Sequence, residues 1–353
     1  MNIENPALSL QERQGEIECS HCSEKISIQE KSPFSLDNCP HCGTEFQVPM
    51  FIEQFRVESV LRDDGVFIEY KAFDTLLNRK VFLKKINNKY YQKNSELTFP
   101  FIDCQGAVNI YSTFTYDDEL YFIFEALKGH SIRSYLRRKE TIDLKKAINL
   151  TMSICKIMKS VADEGISHGH LVPDAIWIND EGEVLIKDFM LRQSLVSQAD
   201  SFDRIGEIFN LRFCSKEWLQ TLTVSEKSDL YSLGVFLYHI LTGTYPFASN
   251  EKNELLLEEI NVSLLDAGDP AVKELILKLL NGSFSSFNET LEYLQSTFIT
   301  EKVKSPSSKS SKKSRPVLGK TAVKNKKKPQ LKLPSKGMTA GKKSKTTLKK
   351  LFR

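Results

Sequence analysis

The stretch HGHLVPDAIWINDEGEVLIKDFM, residues 168–190, is the part of the chain that decides the fold. Its two short apolar runs, 176–178 and 184–186, consist of residues that favour β-strands, and Asp180-Glu181-Gly182 between them has the composition of a turn. The pattern predicts a hairpin. Because a hairpin brings its outer ends together, the loop 168–175 and the acidic tripeptide 188–190 are expected to lie side by side.

These two loops resemble the catalytic and metal-binding loops of the eukaryotic-type protein kinases, which read H-R-D-L-x-x-x-N and D-F-G. On that alignment His170 occupies the position of the catalytic aspartate, and Ala175 that of an asparagine that holds a metal ion. Val172 stands where the family has a lysine facing the transferring phosphate, and Met190 replaces the last glycine. Asp188 is therefore the metal ligand that remains. The resemblance implies the kinase framework with most of its chemistry replaced.

Three candidate strands precede this stretch and resemble the first strands of a kinase N-lobe: 57–61, 66–72 and 80–86. Lys84 takes the place of the lysine that pairs with the nucleotide phosphates. In the family, the glutamate partner of this lysine comes from the helix that follows. Here the only acidic residue between positions 87 and 101 is Glu96, so it is the candidate partner, and the helix is expected to be short or missing.

The glycine-rich loop of the family aligns with residues 62–67, where no aligned glycine is kept and Asp63 and Asp64 stand instead. Glycines at such a loop let backbone N–H groups approach a polyphosphate, whereas two carboxylates repel it. The resemblance therefore implies a residual nucleotide site at Lys84 and Asp188, with binding of ATP and Mg²⁺ disfavoured.

Helical patterns dominate the second half of the chain. An amphipathic helix is predicted at 144–162, and the apolar segment that begins at 228 resembles the buried central helix of a kinase C-lobe. That resemblance gives Asp229 a structural role, in which it holds the catalytic loop. The expected fold class is α+β: a bilobal, protein-kinase-like domain over residues 51–300, with a β-rich N-lobe and a helical C-lobe.

Four cysteines form two C-x-x-C pairs separated by sixteen residues: Cys19, Cys22, Cys39 and Cys42. This spacing is typical of a structural zinc ribbon, because two thiolates on a tight turn can grip one tetrahedral ion. We predict that ribbon at residues 15–50, after a leader at 1–14. Thiolate ligation needs a reducing compartment, so a cytoplasmic location is expected.

The net charge of +4 conceals two parts of opposite sign. Residues 302–353 hold 19 Lys or Arg and no acid, whereas residues 1–301 hold 30 bases against 45 acids. Lys, Ser, Pro and Gly dominate the segment 301–353, which predicts a disordered tail. Its charge favours nucleic acid or another polyanion as a partner. No apolar run approaches the eighteen or so residues of a membrane span.

The leading hypothesis is a pseudokinase that acts as a scaffold or regulator for protein partners, with structural zinc in the ribbon. One alternative is an atypical but active Ser/Thr protein kinase that uses Lys84, Asp188 and His170. A second alternative is a nucleic-acid-associated protein that binds through the ribbon and the basic tail. The sequence leaves partners, substrates and oligomeric state open.

Overall fold

A computed structural model describes residues 15–91, 97–139, 141–198, 202–266 and 268–299 of the chain. Three predicted features lie outside those residues: the leader at 1–14, Glu96, and the basic tail at 301–353. The described residues form a small N-terminal unit, a β-sheet and a helical lobe, in that order.

The N-terminal unit, which we call the ribbon, consists of two antiparallel hairpins. The first pairs β1 (Glu16–Glu18) with β2 (Lys25–Ser27), and the second pairs β3 (Leu36–Asn38) with β4 (Glu45–Gln47). Each hairpin turn carries one C-x-x-C pair, and the buried cluster consists of two of these cysteines and Ile26. This cluster is too small to stabilise the fold of the ribbon by apolar burial alone. A metal ion bound between the two turns would supply the missing stability.

The next six strands form one antiparallel sheet in the order β5-β6-β7-β8-β10-β9. Their bounds are Met50–Ile52, Phe55–Asp63, Phe67–Asp74 and Arg79–Ile86 for β5 to β8, and Ile110–Tyr116 and Glu119–Glu125 for β9 and β10. The three strands predicted from the sequence are β6, β7 and β8, with ends that differ by two residues at most. One face of the sheet has its own apolar cluster, and the other joins the core of the helical lobe.

Residues 87–91 and 97–109, which are the described part of the segment between β8 and β9, contain no helix. An irregular segment covers the sheet there instead. Phe99 packs edge-on against Phe122, with 5.5 Å between ring centroids, and the side chain of Asn109 bonds to both backbone groups of Ile102. These contacts hold the described part of the segment against the sheet.

The helical lobe contains the predicted hairpin and eight described helices. The hairpin strands are β12 (Ile176–Ile178) and β13 (Val184–Ile186), with β11 (His130–Ser131) beside β12. The helices are α1 (Ile132–Lys139), α2 (Leu144–Asp163), α3 (Phe202–Ile208), α4 (Lys216–Thr221), α5 (Glu226–Thr242), α6 (Lys252–Leu257), α7 (Pro270–Leu280) and α8 (Phe287–Phe298). No helix in these stretches is long and apolar enough to cross a membrane.

Helix α5 is the buried centre of this lobe. It begins at a capping box, in which Ser225 Oγ accepts from the backbone N–H of Ser228 at 3.2 Å and Ser228 Oγ accepts from that of Ser225 at 2.9 Å. At Gly234 helix α7 passes so close that a Cβ would lie 2.9 Å from the Cβ of Leu279. A side chain at position 234 would clash with helix α7, so a glycine is needed there. The order of the strands and helices confirms the bilobal α+β fold expected from the sequence.

Candidate functional site

Lys84 and Asp188 meet in the cleft between the sheet and the helical lobe. Lys84 lies on β8 and Asp188 follows β13, which places them on opposite sides of the cleft. Lys84 Nζ donates to Asp188 Oδ1 at 2.5 Å. Burial raises the pKa of Asp188, but Lys84 and the neighbouring Lys187 outweigh burial and hold this pKa well below its ordinary value. The two residues assigned to a residual nucleotide site are thus brought together as an ion pair.

A third charged residue, Glu69, belongs to this site and was missed in the sequence. Glu69 on β7 lies directly opposite Lys84 in the strand register, with 3.8 Å between Glu69 Oε2 and Lys84 Nζ. Both of its carboxylate oxygens accept from Lys187 Nζ, at 2.6 and 2.7 Å. A register count from the turn at 75–78 would have indicated the first of these pairs, because a tight hairpin fixes its register.

The Glu69–Lys187 pair is ionised although it is deeply buried. Both residues are at most 8% exposed. Burial raises the pKa of Glu69, but Lys187 and Lys84 more than offset this and lower it overall. Burial lowers the pKa of Lys187, and Glu69 reverses that shift and raises it. Mutual attraction therefore keeps both charges in the interior.

Two carboxylates occupy the place of the phosphate-binding loop. Asp64 Oδ1 accepts from the backbone N–H groups of Val66 at 3.1 Å and Phe67 at 2.8 Å, and Asp63 Oδ1 accepts from that of Gly65 at 2.9 Å. In the kinase family the backbone of this loop covers the nucleotide phosphates. Here the described amides of this loop already donate to carboxylates of the protein itself.

Arginines complete the ionic network and cross the cleft. Arg192, which follows Asp188 in the chain, pairs with Asp64 and donates to the backbone carbonyl of Ile208. Asp174 pairs with Arg62 from β6 and accepts from Arg133 Nε at 3.2 Å. Each cation of this network is matched to a carboxylate of the protein itself.

His170, at the position of the catalytic aspartate, is buried and neutral. Its ring lies 5.0 Å from that of Phe209 and 6.5 Å from that of Phe213, between centroids. Burial, with a contribution from Arg192, lowers its pKa well below the ordinary value. Its Nε2 accepts from the backbone N–H of Asn210 at 3.3 Å. One of its two ring nitrogens is therefore already engaged within the protein.

The loop that carries His170 is anchored by Asp229 from helix α5, as the resemblance implied. Asp229 accepts from the backbone N–H of His168 at 2.6 Å and of Gly169 at 2.9 Å. Burial raises the pKa of Asp229 to about 7, against the opposing effect of these two bonds. Ala175, further along the same loop, is buried and offers no side-chain ligand. The framework of the loop is thus kept while its metal-binding group is absent.

Residues 126–129 connect β10 to β11 and thereby the sheet to the helical lobe, and we call them the hinge. Trp177 Nε1 on β12 donates to the backbone carbonyl of Lys128 in the hinge at 2.7 Å, and its ring lies against that of Phe82, 5.9 Å between centroids. Lys187 Nζ lies 5.8 Å from the centroid of the same indole. The open cavity at the other end of the cleft measures about 280 Å³ and has Lys84, His170 and Asp188 but no hinge residue in its wall. This volume lies just below the roughly 300–1,000 Å³ that is typical of small-molecule sites.

The ribbon brings all four predicted zinc ligands together. The Sγ atoms of Cys19, Cys22, Cys39 and Cys42 all lie within 4.8 Å of one another. Cys19 Sγ and Cys42 Sγ are 3.6 Å apart, and Cys22 Sγ and Cys39 Sγ are 3.7 Å apart. A tetrahedral zinc ion with bonds of about 2.3 Å requires roughly 3.8 Å between sulfurs. The donor set and its spacing therefore fit a structural zinc ion.

Comparison with known proteins identifies the family. The sequence model of the protein kinase domain family matches residues 69–305, which is more than half of the chain. The chain belongs to the protein kinase family. A probable serine/threonine-protein kinase of Clostridium acetobutylicum is 25% identical over 217 residues, and the serine/threonine-protein kinase PrkC of Bacillus subtilis is 23% identical over 215 residues.

Each of these two matches covers 59% of this chain, and the chain spans about a third of the length of either relative. Among solved structures, a crystal structure of Rad53 in complex with AMP-PNP is similar to this chain with a TM-score of 0.52. The sequence identity is 20%, and the match covers 68% of this chain and 65% of that one. This similarity concerns the fold alone.

Proposed function

We propose that the kinase domain does not transfer phosphate and acts as a scaffold or regulator for protein partners. The observation that carries this proposal is the environment of His170: burial lowers its pKa well below the ordinary value, which makes the imidazole a weak base, and Asn210 already donates to its Nε2. Loss of a general base typically lowers a rate by about 10²–10⁴. Ala175 adds the loss of a metal ligand, and this is an independent loss of electrostatic stabilisation.

Loss of nucleotide binding follows from the ionic network. ATP with Mg²⁺ would have to separate Lys84 from Asp188 and displace Asp64 from the backbone amides that it accepts from. Trp177 would have to leave the hinge carbonyl of Lys128 to admit the rest of the nucleotide. Each of these bonds would be exchanged for one of similar kind, so nucleotide binding gains little free energy.

The test combines binding and transfer on the purified full-length chain. We expect no thermal shift with millimolar ATP and Mg²⁺, and no transfer of labelled phosphate to casein or to the chain itself. The bacterial relative PrkC, assayed in parallel, controls for the substrate and the buffer. Phosphate transfer that disappears in the Asp188→Ala variant would refute the proposal.

An atypical active kinase is the second candidate, and one observation favours it. Lys84 and Asp188, the phosphate and metal ligands of the family, are both kept and lie in contact. This reading needs His170 to act as the base. The active-kinase hypothesis predicts a measurable rate of phosphate transfer that is lower in His170→Ala. The proposal of an inactive domain predicts no phosphate transfer in the wild type or in any variant.

Nucleic-acid binding by the ribbon has less support. Residues 15–50 contain six acidic and two basic residues, and four thiolates around a zinc ion add two further negative charges. An acidic module is repelled by phosphates. Any affinity for nucleic acid would rest on the basic tail.

A further inference from the structure

A groove lies between the ribbon and the adjoining edge of the sheet, and the kinase site does not use it. We call it the ribbon groove. It measures about 480 Å³, and its wall includes apolar side chains from both units, among them Phe34, Val48 and Phe51. Strand β5 is the edge strand of the sheet and contributes Phe51. The ribbon groove is therefore a partly apolar surface, next to an edge strand.

The rim of the ribbon groove is acidic. Four carboxylates line it, those of Glu16, Glu18, Glu53 and Glu58, against one cation, Arg56. Two of these carboxylates already have an ion-pair partner: Glu16 pairs with Lys25 at 3.5 Å, and Glu58 pairs with Lys71 at 2.9 Å. Glu18 has no ion-pair partner among the residues that the structure describes, and it is exposed. The occupant that fits is a peptide with cationic groups around an apolar centre.

One segment of the chain itself has this chemistry. Residues 346–353 read TTLKKLFR, in which two lysines and an arginine alternate with two leucines and a phenylalanine. Phe352 is the only aromatic residue between positions 302 and 353. The other basic stretches of the tail either lack apolar residues, such as 324–328, or have aliphatic side chains without an aromatic ring, such as 315–320 and 331–333. The segment 346–353 is thus the part of the tail that combines several cations with both aliphatic and aromatic side chains.

The tail is long enough to bring this segment to the groove. The last described residue is Ile299, and the 46 residues between it and position 346 span up to about 150 Å when extended. A domain of this size has a radius of gyration of roughly 19 Å. Attachment to the same chain gives the segment an effective concentration at the groove on the order of millimolar, so that weak docking suffices.

We propose that residues 346–353 dock in the ribbon groove of the same chain, with Lys349 and Lys350 at the acidic rim and Phe352 on the apolar floor. Docking would cover the sheet edge at β5 and would withdraw these bases from any external polyanion. The proposal does not depend on whether the kinase domain is active.

Zero-length carbodiimide crosslinking of the full-length chain tests the docking. Lys349 and Lys350 are expected to join the groove carboxylates, Glu16, Glu18, Glu53 and Glu58, in preference to other exposed acids. The double variant Leu351→Ser/Phe352→Ser keeps both lysines and should abolish this preference. The matched control, Val317→Ser/Leu318→Ser, removes two apolar residues elsewhere in the tail and should leave the crosslinks unchanged.

A second pair of variants tests the groove side. Glu18→Lys should lower the crosslink yield at the remaining groove carboxylates by about threefold, the effect of one exposed ion pair. Glu45→Lys reverses an exposed ribbon charge outside the groove and should have no effect. Crosslinks spread in proportion to carboxylate exposure, or unchanged in Leu351→Ser/Phe352→Ser, would overturn the proposal. So would crosslinks that join ¹⁴N- to ¹⁵N-labelled chains in a mixed sample, because the occupant would then be a second copy.

Discussion

Substitution of Glu69 by glutamine isolates the buried ion pair at the centre of the cleft. The variant keeps the size of the side chain and one acceptor oxygen but removes the charge that faces Lys187 at 2.6 Å. Lys187 is 5% exposed, and its next carboxylate, Asp188, is 4.0 Å away and already paired with Lys84. The substitution therefore leaves a buried cation with a weaker partner.

The expected cost follows from that geometry. Removal of one partner from a buried ion pair destabilises a protein by about 3–5 kcal/mol, and the amide oxygen of glutamine places this case near the lower end. For a domain of this size each kcal/mol lowers the melting temperature by about 2–4 °C. We expect Glu69→Gln to lower the free energy of unfolding by about 3 kcal/mol and the melting temperature by roughly 9 °C.

Urea and thermal denaturation followed by circular dichroism provide the measurement. Glu58→Gln is the matched control, because Glu58 pairs with Lys71 at 2.9 Å on the same sheet with both side chains at least 28% exposed. Exposed pairs are worth about 1 kcal/mol or less. The double variant Glu69→Gln/Lys187→Met should recover part of the loss, since no unpaired charge remains. Equal losses for Glu69→Gln and Glu58→Gln would refute the reasoning.

Two further predictions concern the ribbon and the catalytic loop. The wild-type chain should bind one zinc ion, and Cys39→Ala should lose it while Cys104→Ala keeps it; equal zinc in all three by metal analysis would contradict the assignment. For His170 the folded-state pKa lies below the unfolded value of 6.5, so its contribution to stability is full above pH 6.5 and is lost as the pH falls. Between pH 7 and pH 5 the wild type should therefore lose about 2 kcal/mol more than His170→Gln, which keeps an acceptor for Asn210. Parallel stability profiles would show that His170 is protonated in the folded protein.

The sequence predicted the framework because its signals are local. The hairpin at 176–178 and 184–186, the strand that carries Lys84, and helix α5 each follow from a periodic pattern and a turn or cap within about twenty residues. The two C-x-x-C pairs are equally local, and their four sulfurs converge as their spacing indicates. Such features need no knowledge of distant contacts.

The missed features are contacts between distant parts of the chain. Glu69 and Lys187 are 118 positions apart, and no local sequence pattern at either residue indicates that the other is its partner. Glu96, the candidate partner of Lys84, lies outside the described residues. Among the residues that are described, Asp188 and Glu69 have carboxylate oxygens 2.5 and 3.8 Å from Lys84 Nζ. His170 was placed correctly on its loop, but its burial depends on Phe209 and Phe213, which arrive from a later segment.

Several ion pairs cross the cleft between the sheet and the helical lobe. Lys84 and Glu69 belong to the sheet, whereas Asp188 and Lys187 belong to the helical lobe, so each of their ion pairs joins the two lobes. The pair of Asp64 with Arg192 does the same at the loop 62–67. In an active kinase the charges at these positions must be free to hold a nucleotide and release it. Here they pair with one another across the cleft. If the kinase domain is the scaffold that we propose, a protein partner that binds across both lobes would meet these pairs already formed, and its affinity would not depend on nucleotide.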